Sequence, residues 1–449
     1  MSSSRRRPLF AVLALVLVVV GLLTSLAKTP NSSTLPGGLG AGTNAESTAL
    51  YCTGLSGVVG PFKGHVVFLN TTDVLRLVQV QVVNDLGQRA SIKVDVSPHG
   101  TQLVSPTTLL KGHSFAVEAQ VNGAGVVADE VTRTGMAEVP CTTTGVTSWY
   151  GAGFDTLVGS SGELSIYNPT ATPAVFNVAA YTASGYSAPA PFQGLSVGAH
   201  SQLEVNLGTQ IVNTANIGVH VSVLRGTVVI VGVQQSGAVV SLMSGASALA
   251  TRMWLPRVTT VTNALAQIRI ANPSPLAVTV TAHVTLSPYT IAPQSVSVAP
   301  HSSGEIIITP NSAIPAKGYA SVALTSSAPV FSTLASGTSG GIALWSPQIS
   351  RRAFLISDFS GHGFNSATVT NTSSRVVTVQ FTTLAQPSLT GSATLAPHST
   401  QNILSMFSAI STLNATTLMV NSSAPDLLVT TTLPSTPTGV DIVATLDGR

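Results

Sequence analysis

Four histidines recur along this chain, His99, His200, His301 and His398, each within a small polar run: SPHG, GAHS, APHS and APHS. Imidazole is a common metal ligand and titrates near neutrality, so a converging set would make a metal centre or a pH sensor. Their spacing argues otherwise. Residues about 100 positions apart fall in separate domains, each beside Pro or Ala at the entry to a strand, and read as exposed turn residues. Glu204 and Glu305 follow two of them by four places, but Leu103 and Asn402 occupy the equivalent positions, so no acid–His pair recurs.

Other constellations are sparse. A nucleophilic triad needs Ser or Cys, His and an orienting acid within mutual reach, and serines are too numerous here to single one out. After Glu163 the acids are only Glu204, Glu305, Asp358, Asp426, Asp441 and Asp447. Asp129 and Glu130 are adjacent, but neighbouring strand residues point to opposite faces, so they cannot serve as a glycosidase pair. The glycine-flanked cluster from Asp358 to His362 reads as an inter-domain loop. The expectation is no catalytic residue, no cofactor and no metal.

Composition points the same way. Of 449 residues only 8% are charged, against roughly 25% in a soluble globular chain. Hydrophobic residues make up 44%, so the chain can bury cores and is not a disordered polyelectrolyte. A nucleic-acid binder needs a dense Lys/Arg footprint, and none is present. The net charge of +3 belongs to Arg5, Arg6 and Arg7; the other sixteen basic residues balance the sixteen acidic ones. With so few carboxylates there is little protonation to oppose folding, so the fold is expected to persist in acid.

Arg5–Arg7 close a basic tail (1–8) and precede an apolar run over 9–27, nineteen residues or about 28 Å of helix, near the ~30 Å of a bilayer core. Arginines on that side predict a cytoplasmic N-terminus and an exported remainder. One reading is a single-pass anchor in the cytoplasmic membrane. The alternative is a signal sequence cleaved near Ala27, which would release the protein. Residues 28–47, rich in Gly, Ser, Thr, Pro and Asn, read as a flexible tether. Cys52 and Cys141 are the only cysteines, which in an oxidising compartment suggests one disulfide; two unrelated buried thiols are the alternative.

The elements that carry these residues repeat. An apolar strand ending in Asn appears as VVFLNTT, LSIYNPT, IRIANPS and ATVTNTS, at Asn70, Asn168, Asn272 and Asn371. One of the four histidines follows each Asn by 27 to 32 residues. A third landmark, an alternating strand, a short turn and another apolar strand, includes AVEAQVNGAGVVADEV and YASVALTSSAPVFSTL. Between landmarks the period is two, as in Val78, Val80 and Val82 against Gln79 and Gln81. The fold class is therefore all-β: four tandem immunoglobulin-like sandwiches over 48–146, 147–251, 252–347 and 348–449. A β-propeller-like assembly is the alternative, though its usual blade of ~40–50 residues is too short for this period. Trp149, Trp254 and Trp345 each precede the first strand of a repeat and suggest buried anchors or wedges at repeat junctions. Repeat one has the cysteines instead.

The order Trp, strand with Asn-Pro, alternating strand, Pro-His-Ser resembles tandem β-repeats of an uncharacterised actinobacterial family of membrane-anchored or secreted proteins, a domain of unknown function. WYGAGF at Trp149, YNPT at Asn168 and ANPS at Asn272 carry the likeness, which spans roughly Leu50 to Gly448. It implies an envelope-facing role and brings no catalytic residues. Repeats one and four depart from it in having Asn-Thr. The expected function is a non-catalytic scaffold, spacer or accessory subunit at the outer membrane face or cell wall, with an envelope protein or wall polysaccharide as partner. A carbohydrate-binding or adhesive module is the second expectation and an envelope hydrolase the third.

Overall fold

The computed structural model describes residues 47–56, 63–132, 138–237, 239–259, 265–286, 289–308, 319–338, 341–347, 353–358, 367–384, 389–409, 417–430 and 441–445. The basic tail with Arg5–Arg7, the apolar run 9–27 and most of the tether lie outside them. Among the described residues no helix is long and apolar enough to cross a membrane.

The described chain is nearly all antiparallel β-structure. Its first quarter holds β1 (Ser47–Ser56), β2 (Gly64–Asn70), β3 (Arg76–Asn84), β4 (Arg89–Val96), β5 (Thr101–Val104), β6 (Ser114–Asn122), β7 (Val126–Thr132) and β8 (Glu138–Pro140). The second holds β9 (Ser148–Phe154), β10 (Ser160–Tyr167), β11 (Ala174–Thr182), β12 (Gly185–Ser187), β13 (Leu195–Val197), β14 (Gln202–Asn206), β15 (Ile217–Arg225), β16 (Val229–Ser236) and β17 (Val239–Met243). In the third are β18 (Ala250–Thr259), β19 (Leu265–Asn272), β20 (Val278–Leu286), β21 (Tyr289–Thr290), β22 (Gln294–Val298), β23 (Ser302–Ile307), β24 (Tyr319–Thr338) and β25 (Gly341–Trp345). The last contains β26 (Ala353–Asp358), β27 (Thr368–Asn371), β28 (Val377–Thr383), β29 (Thr390–Leu395), β30 (Thr400–Asn402), β31 (Thr417–Ser422), β32 (Leu427–Thr430) and β33 (Asp441–Thr445).

One strand order returns in every quarter. The Asn-ending strand is central to its own sheet, as in β5-β2-β7-β8, β14-β10-β16-β17 and β30-β27-β32. The opening strand lies in a second sheet beside a late-returning strand, as in β1-β6-β3-β4 and β9-β15-β11-β12. Period two explains the layering. Val78, Val80 and Val82 turn inward to meet Val66 and Phe68 of the other sheet, so both sheets share one core. The third quarter differs: β24 runs unbroken where a short turn was expected, pairing with β20 up to Ser326 and with β19 from Phe331. Passing from one sheet to the other, this strand makes the corner that a turn makes elsewhere.

Alternation fails at β7, which is buried along its whole length. Its outer face is covered as well as its inner one, because the outer face of one quarter's sheet packs on the next. Tyr51, Val83 and Ala116 meet Tyr167 and Val229; Tyr150 and Ala152 meet Ala271 and Phe331. The series closes on itself. Leu384 and Met419 of the last quarter cover Val67, Leu69, Val127 and Val131 of the first, and the Thr417 hydroxyl donates to the His99 carbonyl at 3.3 Å.

Candidate functional site

The recurring Asn and His meet in a shared corner. Asn70, Asn168, Asn272 and Asn371 are fully buried. Each amide nitrogen donates to the carbonyl four residues on and to carbonyls just before the histidine; Asn272 Nδ2 reaches Leu276, Val298 and Ala299 at 2.8–3.1 Å. Each Oδ1 accepts the amide two residues on. The four histidines have φ of 47–51°, the left-handed region that favours Gly, Asn, Asp and His. Their N–H groups donate to Thr72, Thr170, Ser274 and Ser373, so Asn and His together tie strand end to returning turn.

The histidines do not converge, but neither are they simply exposed turn residues. His200 Nδ1 lies 3.4 Å from Glu118 Oε2 of the first quarter. His301 sets its edge against Tyr186 of the second, and His398 stacks on Trp254 of the third. His99 Nε2 pairs with Asp73 Oδ1 at 2.7 Å. Sequence spacing missed the contacts of His200, His301 and His398 because each crosses from one quarter to another, whereas His99–Asp73 lies within the first.

Of the tryptophans, Trp149 is 2% exposed in the second core, with its indole N–H donating to the Ser244 carbonyl. Trp254 is half-buried at the third–fourth joint. Trp345 ends β25, paired with Leu334; its side chain lies outside the described residues. Cys52 and Cys141 form a disulfide that closes the first core, so the two-thiol alternative falls. Asp358 ends β26 opposite Asp441, and His362 lies outside the described residues. Two Gly-x-Ser-x-Gly stretches, at 194–198 and 337–341, make no nucleophile elbow that can be described: Ser196 sits inside β13 opposite Val175, and Ser339 is not among the described residues.

Among the described residues, a cleft of about 340 Å³ lies between the first and second quarters, lined by Leu55, His113, Thr132, Glu163, Glu204 and Gln235 among others. Glu163 faces Asn206, and Ser165 faces Glu204, so both acids lie on one face of the β10–β14 pair. Glu163 Oε1 accepts from Ser161 Oγ at 2.8 Å and Asn206 Nδ2 at 3.1 Å. Glu204 is solvent-exposed in part, yet protein surroundings push its carboxyl above the usual range, helped by the charges of Glu163 and Asp85. Beside the cleft, Thr53 and Ser165 bridge the quarters at 2.8 Å and Tyr167 OH donates to Glu118 Oε2 at 2.9 Å. Burial raises the Tyr167 phenol far above its ordinary value. Two carboxyls on one face of a cleft offer hydrogen-bond acceptors to a ligand's hydroxyls.

Deeper in, Glu130 reaches the disulfide: its carboxylate and the sulfurs of Cys52 and Cys141 lie within 4.8 Å of one another. With the sulfurs bonded to each other, neither is a thiolate donor. Burial raises the Glu130 carboxyl well above the usual range, and Oε2 has no hydrogen-bond partner. Asp129 is also raised by burial, offset by a hydrogen bond with Glu138. The two acids do point opposite ways, Glu130 to the core side with Ala128 and Asp129 to the outer side with Val127 and Val131. A further buried pair, Arg269 Nη1 to Asp155 Oδ2 at 2.8 Å, joins the second and third quarters. A charged residue inside an apolar strand of a low-charge chain was the available signal for it.

Comparison with protein families adds one assignment. A domain of the family of unknown function DUF5719 covers residues 114–335. The DUF5719 stretch opens at the start of β6 and ends inside β24, so it takes in one wall of the cleft, both acids on β10 and β14, and the Arg269–Asp155 joint. No curated protein matches the chain.

Proposed function

We propose that this is an exported, non-catalytic envelope protein, a scaffold or spacer that presents four immunoglobulin-like sandwiches to an envelope partner. In this reading Arg5–Arg7 and the apolar run 9–27 hold it as a single-pass anchor, or direct its secretion with cleavage near Ala27. The observation that carries the reading is the use made of the recurring residues. Asn70, Asn168, Asn272 and Asn371 and the four histidines are engaged in holding turns and joints, where a repeated binding or catalytic site would leave them facing a ligand. Packed joints between consecutive sheets suit an object whose shape is its function. The test is crosslinking of the tagged full chain in living cells, with captured species identified by mass spectrometry. Enrichment of a discrete envelope protein supports the scaffold. Recovery only with wall polysaccharide replaces it with the carbohydrate-binding reading.

That second reading has one observation in its favour, the cleft with Glu163 and Glu204 on one strand face. It predicts retention on a wall-glycan column that Glu163→Gln and Glu204→Gln both weaken. Release of reducing ends by the wild-type protein, lost in either variant, would instead mark a hydrolase.

A further inference from the structure

We propose that the joint between the last and first quarters is a proton-controlled latch: Asp129 and Glu138 share a proton on its face, and losing that proton loosens the joint.

The other joints connect stretches that follow one another in the chain. This one brings Thr417, Leu384 and Met419 against the first quarter with no short connecting segment, so it can part while the rest stays folded. In its first-quarter face Asp129 lies between the apolar Val127 and Val131 and directly opposite Val67. Asp129 is 3% exposed, and its Oδ2 makes no hydrogen bond. Its other contact is Glu138, whose cross-strand neighbour on β7 is Val131. Ionised carboxylates only accept hydrogen bonds, so two carboxyls bond to each other only while one carries a proton. Once it leaves, two negative groups lie side by side under an apolar cover.

Opposing groups are few. On β2 and just before it, His65 and Lys63 share the parity of Val67. Glu130 points to the other side of β7, and Arg133 lies outside the described residues. Leu384, Thr417 and Met419 bring no charge. At the rim, His99 pairs with Asp73. The joint between the second and third quarters, by contrast, balances its buried acid with Arg269.

Met419 reports the joint, and Met243, 1% exposed in the second core, reports global unfolding. The full chain is exposed to hydrogen peroxide from pH 4 to 9, and each sulfoxide is followed by peptide mass spectrometry. One linked proton changes the open-to-closed ratio about tenfold per pH unit, between the ordinary carboxyl value of ~4 and the folded one. The folded value is about 7. The opening that exposes Met419 should therefore rise by up to about a thousandfold across that interval and level off above it, with Met243 oxidised far more slowly than Met419 at every pH. Asp129→Asn should give a flat, low Met419 rate. Glu138→Gln, which supplies Asp129 with an amide donor, should do the same and covers the case in which the first variant misfolds. A flat wild-type profile overturns the latch. So does a rise that persists in both variants, which would assign it to a group other than these two acids, or a Met243 rate equal to that of Met419.

Discussion

The imidazole of His398 lies over the indole of Trp254, with ring centroids 6.2 Å apart and planes 20° from parallel. One residue opens the third quarter and the other closes a turn in the fourth, so the pair ties a repeat to its successor.

Replacing Trp254 with Ala should therefore loosen the third–fourth joint without emptying a core. An aromatic pair contributes about 0.5–1.5 kcal/mol beyond area burial. We expect a small fall in melting temperature and faster proteolysis overall. Trp149→Ala should be costlier, about 3–5 kcal/mol, because that indole fills a core and donates a buried hydrogen bond. Calorimetry on both variants compares them.

Asn272 donates to three buried carbonyls and accepts one amide, so Asn272→Ala should cost about 3 kcal/mol in equilibrium unfolding. Asn272→Asp should be no better, since a carboxylate cannot donate to carbonyls. At His301, φ of 49° makes a β-branched residue strained: His301→Val should destabilise by about 1–2 kcal/mol and His301→Gly by less.

The Cys52–Cys141 bridge spans 89 positions. In the chain-entropy account such a loop contributes about 4–5 kcal/mol. Denaturant unfolding of the double Cys→Ala variant should show the midpoint falling by that order, with the first quarter losing amide protection before the others.

Stability should fall as pH rises from 4 to 8. Asp129 and Glu130 hold protons in the folded state above the pH at which the unfolded chain releases them, because burial disfavours their charged forms. A folded value raised in this way gives stability that is full below the unfolded value and lost as pH climbs through the folded one. His220, whose value is lowered by burial, works in the opposite direction at the acid end. Urea unfolding across this range should show the slope, and Asp129→Asn with Glu130→Gln should flatten it. An unchanged slope in the double variant would remove these two acids as its cause.

Much of the architecture was legible in one dimension. Strand periodicity, the Asn corners and the paired cysteines are local or near-local patterns, and backbone sterics and burial convert such patterns into structure almost regardless of context. The alternation at Val78, Val80 and Val82 is of this kind. Outer-face burial was not legible. VVADEVT at β7 reads as an interrupted alternation, because nothing in it says that a sheet some 290 residues later will cover Val127 and Val131.

The sequence by itself determined the all-β character, the recurrence of one unit and the low-charge surface, since these follow from residue type and spacing. Tertiary structure alone decided which histidine touches which neighbour, that Glu163 and Glu204 share a cleft, that Arg269 finds Asp155, and that the last quarter returns to the first. Such contacts depend on the relative placement of whole sheets. That placement is set by the summed packing of many outer-face side chains and has no short sequence signature.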